Sequence, residues 1–182
     1  INEDKHDINL NVTGPNFNLN FLLALSMAYF SKKSNIQNYD ENFKNIKNPK
    51  GRFEIINFKS NKIVVDYAHT PDAIKTTVDF VTQYFSSVIV VFGAGGDRDI
   101  EKRLFMGNAT KNADQIIITN DNPRNEDPKK IAKDILEGCD KEKTVVILDR
   151  KEAITYGINQ LKENSVLLVL GKGLSLIHIS EP

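Results

Sequence analysis

The sequence predicts an α/β fold, a doubly wound, mostly parallel Rossmann-like sheet with helices on both faces. Three observations lead there. Short β-branched apolar runs recur along the chain, stretches of helical apolar spacing separate them, and polar segments follow the runs where a parallel sheet keeps its ligand crevice. The 182 residues are 40% hydrophobic and 26% charged, enough apolar material for a packed core and too much for a disordered chain.

The elements follow in order. Phe21 to Phe30 is strongly apolar and lacks β-branched residues, which predicts a helix buried almost all round and in need of a partner surface. Residues 31–50 are polar and close on Asn48-Pro49-Lys50-Gly51, turn chemistry that places a domain boundary near residue 48. Arg52 to Phe58 alternates as an edge strand does, and Lys62 to Tyr67 is a near-continuous β-branched run suited to a buried parallel strand. Thr70, Pro71 and Asp72 form a helix start: a capping hydroxyl, a proline at the first helical position and an acid at the positive end of the dipole. Ile74, Val78 and Val81 give that helix its apolar face. Further strands are predicted at Val88 to Phe92, Ile116 to Thr119, Val145 to Leu148 and Val166 to Leu170. Helices are predicted at Leu104 to Asn112, Pro128 to Glu137 and Lys151 to Leu161, with Ile131/Ile135 and Ile154/Ile158/Leu161 facing the core. Asp66, Gly93, Asn120 and Gly171 then fall at or just past strand C-termini.

Composition narrows the function. Lys plus Arg number 24 and Asp plus Glu 24, and no basic run stands out, so no nucleic-acid partner is expected. The longest apolar run, Val166 to Leu170, is far below the roughly 20 residues of a membrane helix, so no membrane insertion is expected. Cys139 is the single cysteine; an internal disulfide and a Cys/His zinc cluster are ruled out, and a reducing cytoplasm fits. The start at Ile1, without initiator Met or leader, reads as a piece of a longer protein, and residues 174–182 read as a non-native tail.

Four polar segments sit beyond the predicted strands. In Asp66 to Asp72, Asp66 and His69 either project into the crevice or merely end a strand before a capped helix. Gly93 to Gly96 reads as a tight turn needing positive φ; it is no dinucleotide fingerprint, since Arg98 occupies the third glycine position. Arg98, between Asp97 and Asp99, is either a solvated salt-bridge group or a bidentate carboxylate binder. Asp121, Asn122, Pro123 and Arg124 combine an acceptor, an amide and a planar cation on a proline-stiffened loop, groups suited to a small zwitterion. Gly171-Lys172-Gly173 lacks the remainder of a phosphate-binding loop.

In order and spacing, Gly51-Arg52-Phe53-Glu54, the run from Asp66 to Asp72, Gly93 to Asp99, Asp121 to Pro128 and Gly171 to Gly173 resemble the C-terminal domain of the Mur ligase family, in its diaminopimelate-adding branch. The resemblance covers about residues 10 to 173. It implies an ATP-dependent amide-bond ligase of peptidoglycan synthesis, acting in cell-wall biogenesis in the cytoplasm. UDP-MurNAc-L-Ala-D-Glu and meso-diaminopimelate are then its substrates, ATP and Mg²⁺ its cofactors, and a monomer its expected state. Residues 1–48 would be the end of the central ATP-binding domain, and 49–173 the C-terminal domain. By position, Arg98, Asn122, Arg124 and Gly171 would hold the incoming amino acid, with Asp121 and Pro123 completing the set. Arg52, Asp66 and His69 would lie on the nucleotide side, and Asn20 near the adenine.

The family's P-loop, Mg²⁺ ligands and carbamylated lysine belong to its central domain, so the resemblance implies that this chain alone is inactive and carries no catalytic or metal residue. Two departures stand out. Around Gly14 to Asn20 the family pattern Gly-x-Phe-Asn-x-x-Asn is met at Gly14 and Asn20, while Asn16-Phe17 is in swapped order. After Gly173 the family continues with His-Glu, whose Glu takes the distal ammonium of diaminopimelate; here Leu174-Ser175 follow. Alternatives are a same-fold ligase adding L-lysine, against which Arg124 argues because lysine lacks the second carboxylate, and a non-catalytic amino-acid-binding module.

Overall fold

The computed structural model describes residues 10–31 and 43–171. The chain divides into two compact units, Ile1–Pro49 and Lys50–Pro182. The expected tail at 174–182, and with it Lys172, Gly173, Leu174 and Ser175, lies outside the described residues.

In the first unit, helix α1 spans Phe17–Phe30 after Asn16, which sits in the left-handed region with φ 66°. None of its residues is buried; Met27 is 74% and Phe30 79% exposed. The apolar sequence makes the helix, but the described residues do not bury it as its composition predicts. Phe21 meets Phe43 edge to face at 5.0 Å. Asn48 ties the unit's two ends together, accepting from the Thr13 N–H at 3.2 Å and donating to the Thr13 carbonyl at 2.7 Å.

In the second unit, strands β1 (Glu54–Phe58), β2 (Asn61–Asp66), β3 (Ser87–Phe92), β4 (Gln115–Ile118), β5 (Thr144–Val146) and β6 (Ser165–Leu170) form one sheet in the order β1-β2-β6-β3-β4-β5. Only β1, on the edge, is antiparallel. Helices α2 (Pro71–Val81), α3 (Glu101–Asn108), α4 (Pro128–Leu136) and α5 (Arg150–Asn159) connect them. The steps from β2 to β3, β4 and β5 all advance one way across the sheet, so right-handed crossovers put α2, α3 and α4 on one face; the return to β6 puts α5 on the other. Gly157 of α5 lies so close to that face that a Cβ there would be 2.8 Å from a Leu167 methyl and 3.2 Å from one of Ile117. All of β6 is buried, as expected of a central strand covered on both faces.

Local signals explain the elements. Thr70 caps α2, its hydroxyl accepting from the Ala73 N–H at 3.2 Å, with Pro71 first in the helix and Ile74, Val78 and Val81 buried. Ile131 and Ile135 are buried too, while Ile154, Ile158 and Leu161 pack, partly buried, against the β-sheet core. Several boundaries differ from the sequence reading: α1 starts at Phe17 rather than Phe21 and β1 at Glu54 rather than Arg52. Helix α3 begins three residues before Leu104 and stops at Asn108, where the Thr110 hydroxyl donates to the Gly107 carbonyl at 2.7 Å and draws the chain into a turn. Strand β5 stops at Val146, although Asn120 still donates to the Leu148 carbonyl at 3.2 Å.

Candidate functional site

The C-terminal ends of β2, β6, β3 and β4 lie side by side, so the chain segments leaving them converge on one crevice. Asp66 ends β2, and Gly93 and Gly171 directly follow β3 and β6. The Gly171 N–H donates to the Asp66 carbonyl at 3.0 Å, and Gly171 has φ 101°, a conformation glycine adopts without strain.

The Gly93 to Gly96 segment needs its glycines for a different reason from the expected one. Gly93 and Gly96 do not have positive φ; Asp97 and Arg124, each with φ 50°, do. What the glycines permit is close approach. A Cβ on Gly93 would lie 2.2 Å from the Thr119 carbonyl oxygen, and one on Gly96 would lie 1.9 Å from that of Pro123. Gly96 N–H donates to the Asn122 carbonyl at 2.8 Å, and Arg124 Nη1 donates to the Gly96 carbonyl at 2.6 Å. The loops after β3 and β4 are therefore zipped together, which brings Arg98 and Arg124 into one cleft.

A buried arginine reinforces this seam from below. Arg103 is 1% exposed and donates through Nη1 and Nη2 to both oxygens of Glu126, at 2.9 and 2.7 Å, and through Nη1 to Asp134 at 2.9 Å. Glu126 also accepts the Asp97 N–H. These bonds, chiefly those from Arg103, hold the Glu126 carboxyl down to about 2 and raise the Arg103 guanidinium above its usual value. Four segments are locked as one: Gly95 to Asp97, α3, the loop to Glu126, and α4.

The cleft has a volume of about 430 Å³. Arg98, Lys102 and Arg124 supply cations at its wall, Asp99 and Asp121 supply carboxylates, and Met106 an apolar patch. Gly171, Tyr67 and His69 line it as well. Arg52 stacks over Tyr67 at 4.4 Å, and Tyr67 lies 4.6 Å from His69. His69 Nδ1 is 2.8 Å from the Tyr67 carbonyl, an acceptor only, so Nδ1 is the donor in that bond.

Of the residues singled out from sequence, Arg98, Asp121, Arg124, Gly171 and His69 line this cleft together, and Arg52 joins through Tyr67. Asn122 and Pro123 do not line it; Asn122 holds Gly96 and Pro123 packs against it. Asp66 is engaged by the backbone, one oxygen accepting from Phe53 at 2.7 Å and the other from Ala68 at 2.8 Å. Asn20 is exposed on α1 in the other unit. The sequence reading missed Tyr67, Lys102, Arg103 and Glu126. Arg103, Met106 and Gly107 are all buried on α3 at positions i, i+3 and i+4, a helical stripe visible in the sequence once the helix is started at Glu101. Among the described residues no group of three or more His, Cys, Asp or Glu side chains is arranged to hold a metal ion, and no helix is long and apolar enough to cross a membrane.

A parallel sheet whose crevice is lined by paired arginines and a carboxylate belongs to the Rossmann-like class of domains that bind small charged ligands at strand ends. Residues 51–173 match the family described as Mur ligase, glutamate ligase domain, and the chain belongs to the Mur ligase family. It is 45% identical over 179 residues to UDP-N-acetylmuramoyl-L-alanyl-D-glutamate–2,6-diaminopimelate ligase of Rickettsia montanensis, covering 94% of this chain and 36% of that protein. It is 51% identical over 132 residues to the ligase of the same name from Rickettsia conorii, covering 70% of this chain and 27% of that protein. A solved structure of a ligase with that name superposes with a TM-score of 0.67 at 31% identity, covering 94% of this chain and 36% of its own. A Mycobacterium tuberculosis folylpolyglutamate synthase solved with ADP and AMPPCP shares the fold, with a TM-score of 0.74 at 18% identity over 97% of this chain and 42% of its own. The chain thus spans about a third of the length of the curated relatives it matches.

Proposed function

We propose that this chain is the C-terminal portion of a cytoplasmic, monomeric, ATP-dependent ligase that joins meso-diaminopimelate to UDP-MurNAc-L-Ala-D-Glu in peptidoglycan synthesis, and that its cleft takes the incoming amino acid. The observation that carries this reading is the convergence of Arg98 and Arg124 with Asp121 around one cavity. Two guanidinium groups suit two carboxylates, and Asp121 suits an ammonium. L-lysine would leave one arginine without its anion. Asn122 and Pro123 shape the loop, and Gly171 allows the backbone to come close to the ligand.

ATP supplies the phosphoryl group that makes the dipeptide carboxylate an acyl donor. Arg52, Tyr67 and His69 fit a nucleotide at the cleft edge, a cation stacked on an exposed aromatic pair, with Asp66 holding the loop of Arg52 through Phe53; Asn20 is assigned to the adenine side. Among the described residues no group of side chains is arranged to hold Mg²⁺. The role of this chain is to bind the amino acid and orient its amine for attack, a positioning effect worth several powers of ten in rate. By itself it is expected to release no phosphate from ATP.

Arg124→Ala in the full-length ligase tests the assignment. Arg124 is exposed in the cleft, so a charge-assisted bond worth about 1.5 to 3 kcal/mol is the fitting scale, or roughly 10- to 150-fold in kcat/KM for diaminopimelate. The KM for ATP should stay unchanged. Unchanged diaminopimelate use with a weakened ATP step would move Arg124 to the nucleotide side.

A further inference from the structure

The first residue of α5 is a buried arginine that the site described above does not use. Arg150 is 8% exposed, and its Nη2 donates to the Leu170 carbonyl at 2.8 Å. Its Nε and Nη1 are buried and have no hydrogen-bond partner among the described residues. A buried guanidinium with two idle donors is costly, and such groups persist where an anion compensates them. Burial pushes its pKa down, and among the described residues the charge of Asp121 opposes this.

Position shows what this cation does. The carbonyl it holds belongs to the peptide joining Leu170 to Gly171. At the Gly171 end of that peptide, a Cβ built on Gly171 would lie 4.0 Å from Asp121 Oδ2 and 3.9 Å from the Gly93 carbonyl oxygen. Arg150 therefore holds the Leu170 end of the same peptide whose Gly171 end lies beside the Asp121 carboxylate. No ion pair within 4.0 Å joins them among the described residues.

We propose that Arg150 is a positioning residue for the amino-acid cleft: by fixing the Leu170–Gly171 peptide it holds Gly171 in place beside Asp121, the acceptor for the substrate ammonium. The inference rests on the reading of Asp121 as an ammonium acceptor. It adds that the acceptor is supported by a cation which never touches substrate. The Asp121 carboxylate, which lines the cleft, then has its neighbouring backbone fixed before the amino acid enters.

The test is a double-mutant cycle in the full-length ligase, with KM for meso-diaminopimelate and for ATP measured on wild type, Arg150→Gln, Asp121→Asn and the double variant. Arg150→Lys accompanies them, and far-UV circular dichroism establishes that each is folded. Arg150→Gln is expected to raise KM for diaminopimelate about 10-fold or more and leave KM for ATP within 2-fold; Arg150→Lys should recover part of the loss. In the Asp121→Asn background, Arg150→Gln should cost little more, because the two act through the same Leu170–Gly171 peptide. If the two losses multiply, or if KM for ATP rises in step, Arg150 has only a structural role and the proposal fails. Should Arg150→Gln not fold, the Lys variant decides: a rise in KM for diaminopimelate of less than about 10-fold with KM for ATP unchanged is the expected result, and an equal rise for both substrates, or a rise for neither, overturns it. If Asp121→Asn leaves KM for diaminopimelate unchanged, the ammonium-acceptor reading itself fails, and this inference falls with it.

Discussion

Gly96→Ala probes the seam that brings the two arginine loops together. The new methyl would lie 1.9 Å from the Pro123 carbonyl oxygen, 2.6 Å from its carbon and 3.2 Å from the Pro123 Cα, all backbone atoms that no rotamer change can remove. Restoring ordinary contact requires the loops to part by about 1.5 Å, the difference between a 3.4 Å contact and the 1.9 Å approach. That separation breaks the 2.8 Å bond from Gly96 N–H to the Asn122 carbonyl. Overpacking costs about 1 to 3 kcal/mol and the lost bond about 1 kcal/mol, roughly 2 to 4 kcal/mol together. For a unit of this size about 3 to 5 °C of Tm accompanies each kcal/mol, so the melting temperature should fall by about 6 to 20 °C. The same shift pulls Arg124 away from the Gly96 carbonyl it holds at 2.6 Å, and a displacement near 1 Å can cost about 100-fold in kcat/KM. The chain has no Trp, so the melt is best followed by far-UV circular dichroism, with kinetics on the full-length ligase. A Tm within 2 °C of wild type and unaltered diaminopimelate kinetics would refute the close-approach account.

Acid should loosen the Arg103 clamp. Glu126 is held down to about 2 by Arg103, so its contribution is complete above the ordinary carboxylate value near 4.5 and is lost as pH falls toward 2. Melting temperature should decline across that window in wild type and less steeply in Glu126→Gln; parallel curves would contradict the assignment. Cys139 is a further probe: burial pushes its thiol up to about 11 from 9.0, so iodoacetamide at pH 8 should label it about 100-fold more slowly than a free cysteine. Labelling within a few-fold of the free rate would show that the Ile135 to Cys139 turn is open in solution.

The strands were legible in the sequence because each is a short β-branched run whose burial decides its conformation, and the capped helices because Thr70-Pro71 and Asp127-Pro128 are local signals. Helix α3 was misplaced for a physical reason. Its buried stripe includes a charged residue, Arg103, and a helical apolar pattern broken by a cation reads as a loop end. What makes that burial tolerable, Glu126 and Asp134, lies 23 and 31 residues away, beyond any local window. The glycines at 93 and 96 were visible, but their purpose was not: the atoms they make room for belong to Thr119 and Pro123. Asp66 looked like a crevice ligand from its place at a strand end, yet two backbone N–H groups take its oxygens. Arg150 lay one residue before the helix read from Lys151 and drew no attention, because its setting at the end of β6 exists only after the sheet has formed.

The central claim is that this cleft selects an amino acid with two carboxylates for an ATP-driven ligation. The direct measurement is product formation by the full-length protein with ATP and UDP-MurNAc-L-Ala-D-Glu, offered meso-diaminopimelate or L-lysine at equal concentration. The account predicts a kcat/KM for meso-diaminopimelate about 10- to 150-fold above that for L-lysine, since an arginine left without its carboxylate forfeits one charge-assisted bond. Equal use of the two amino acids, or binding of diaminopimelate with no ATP-dependent product, would contradict it.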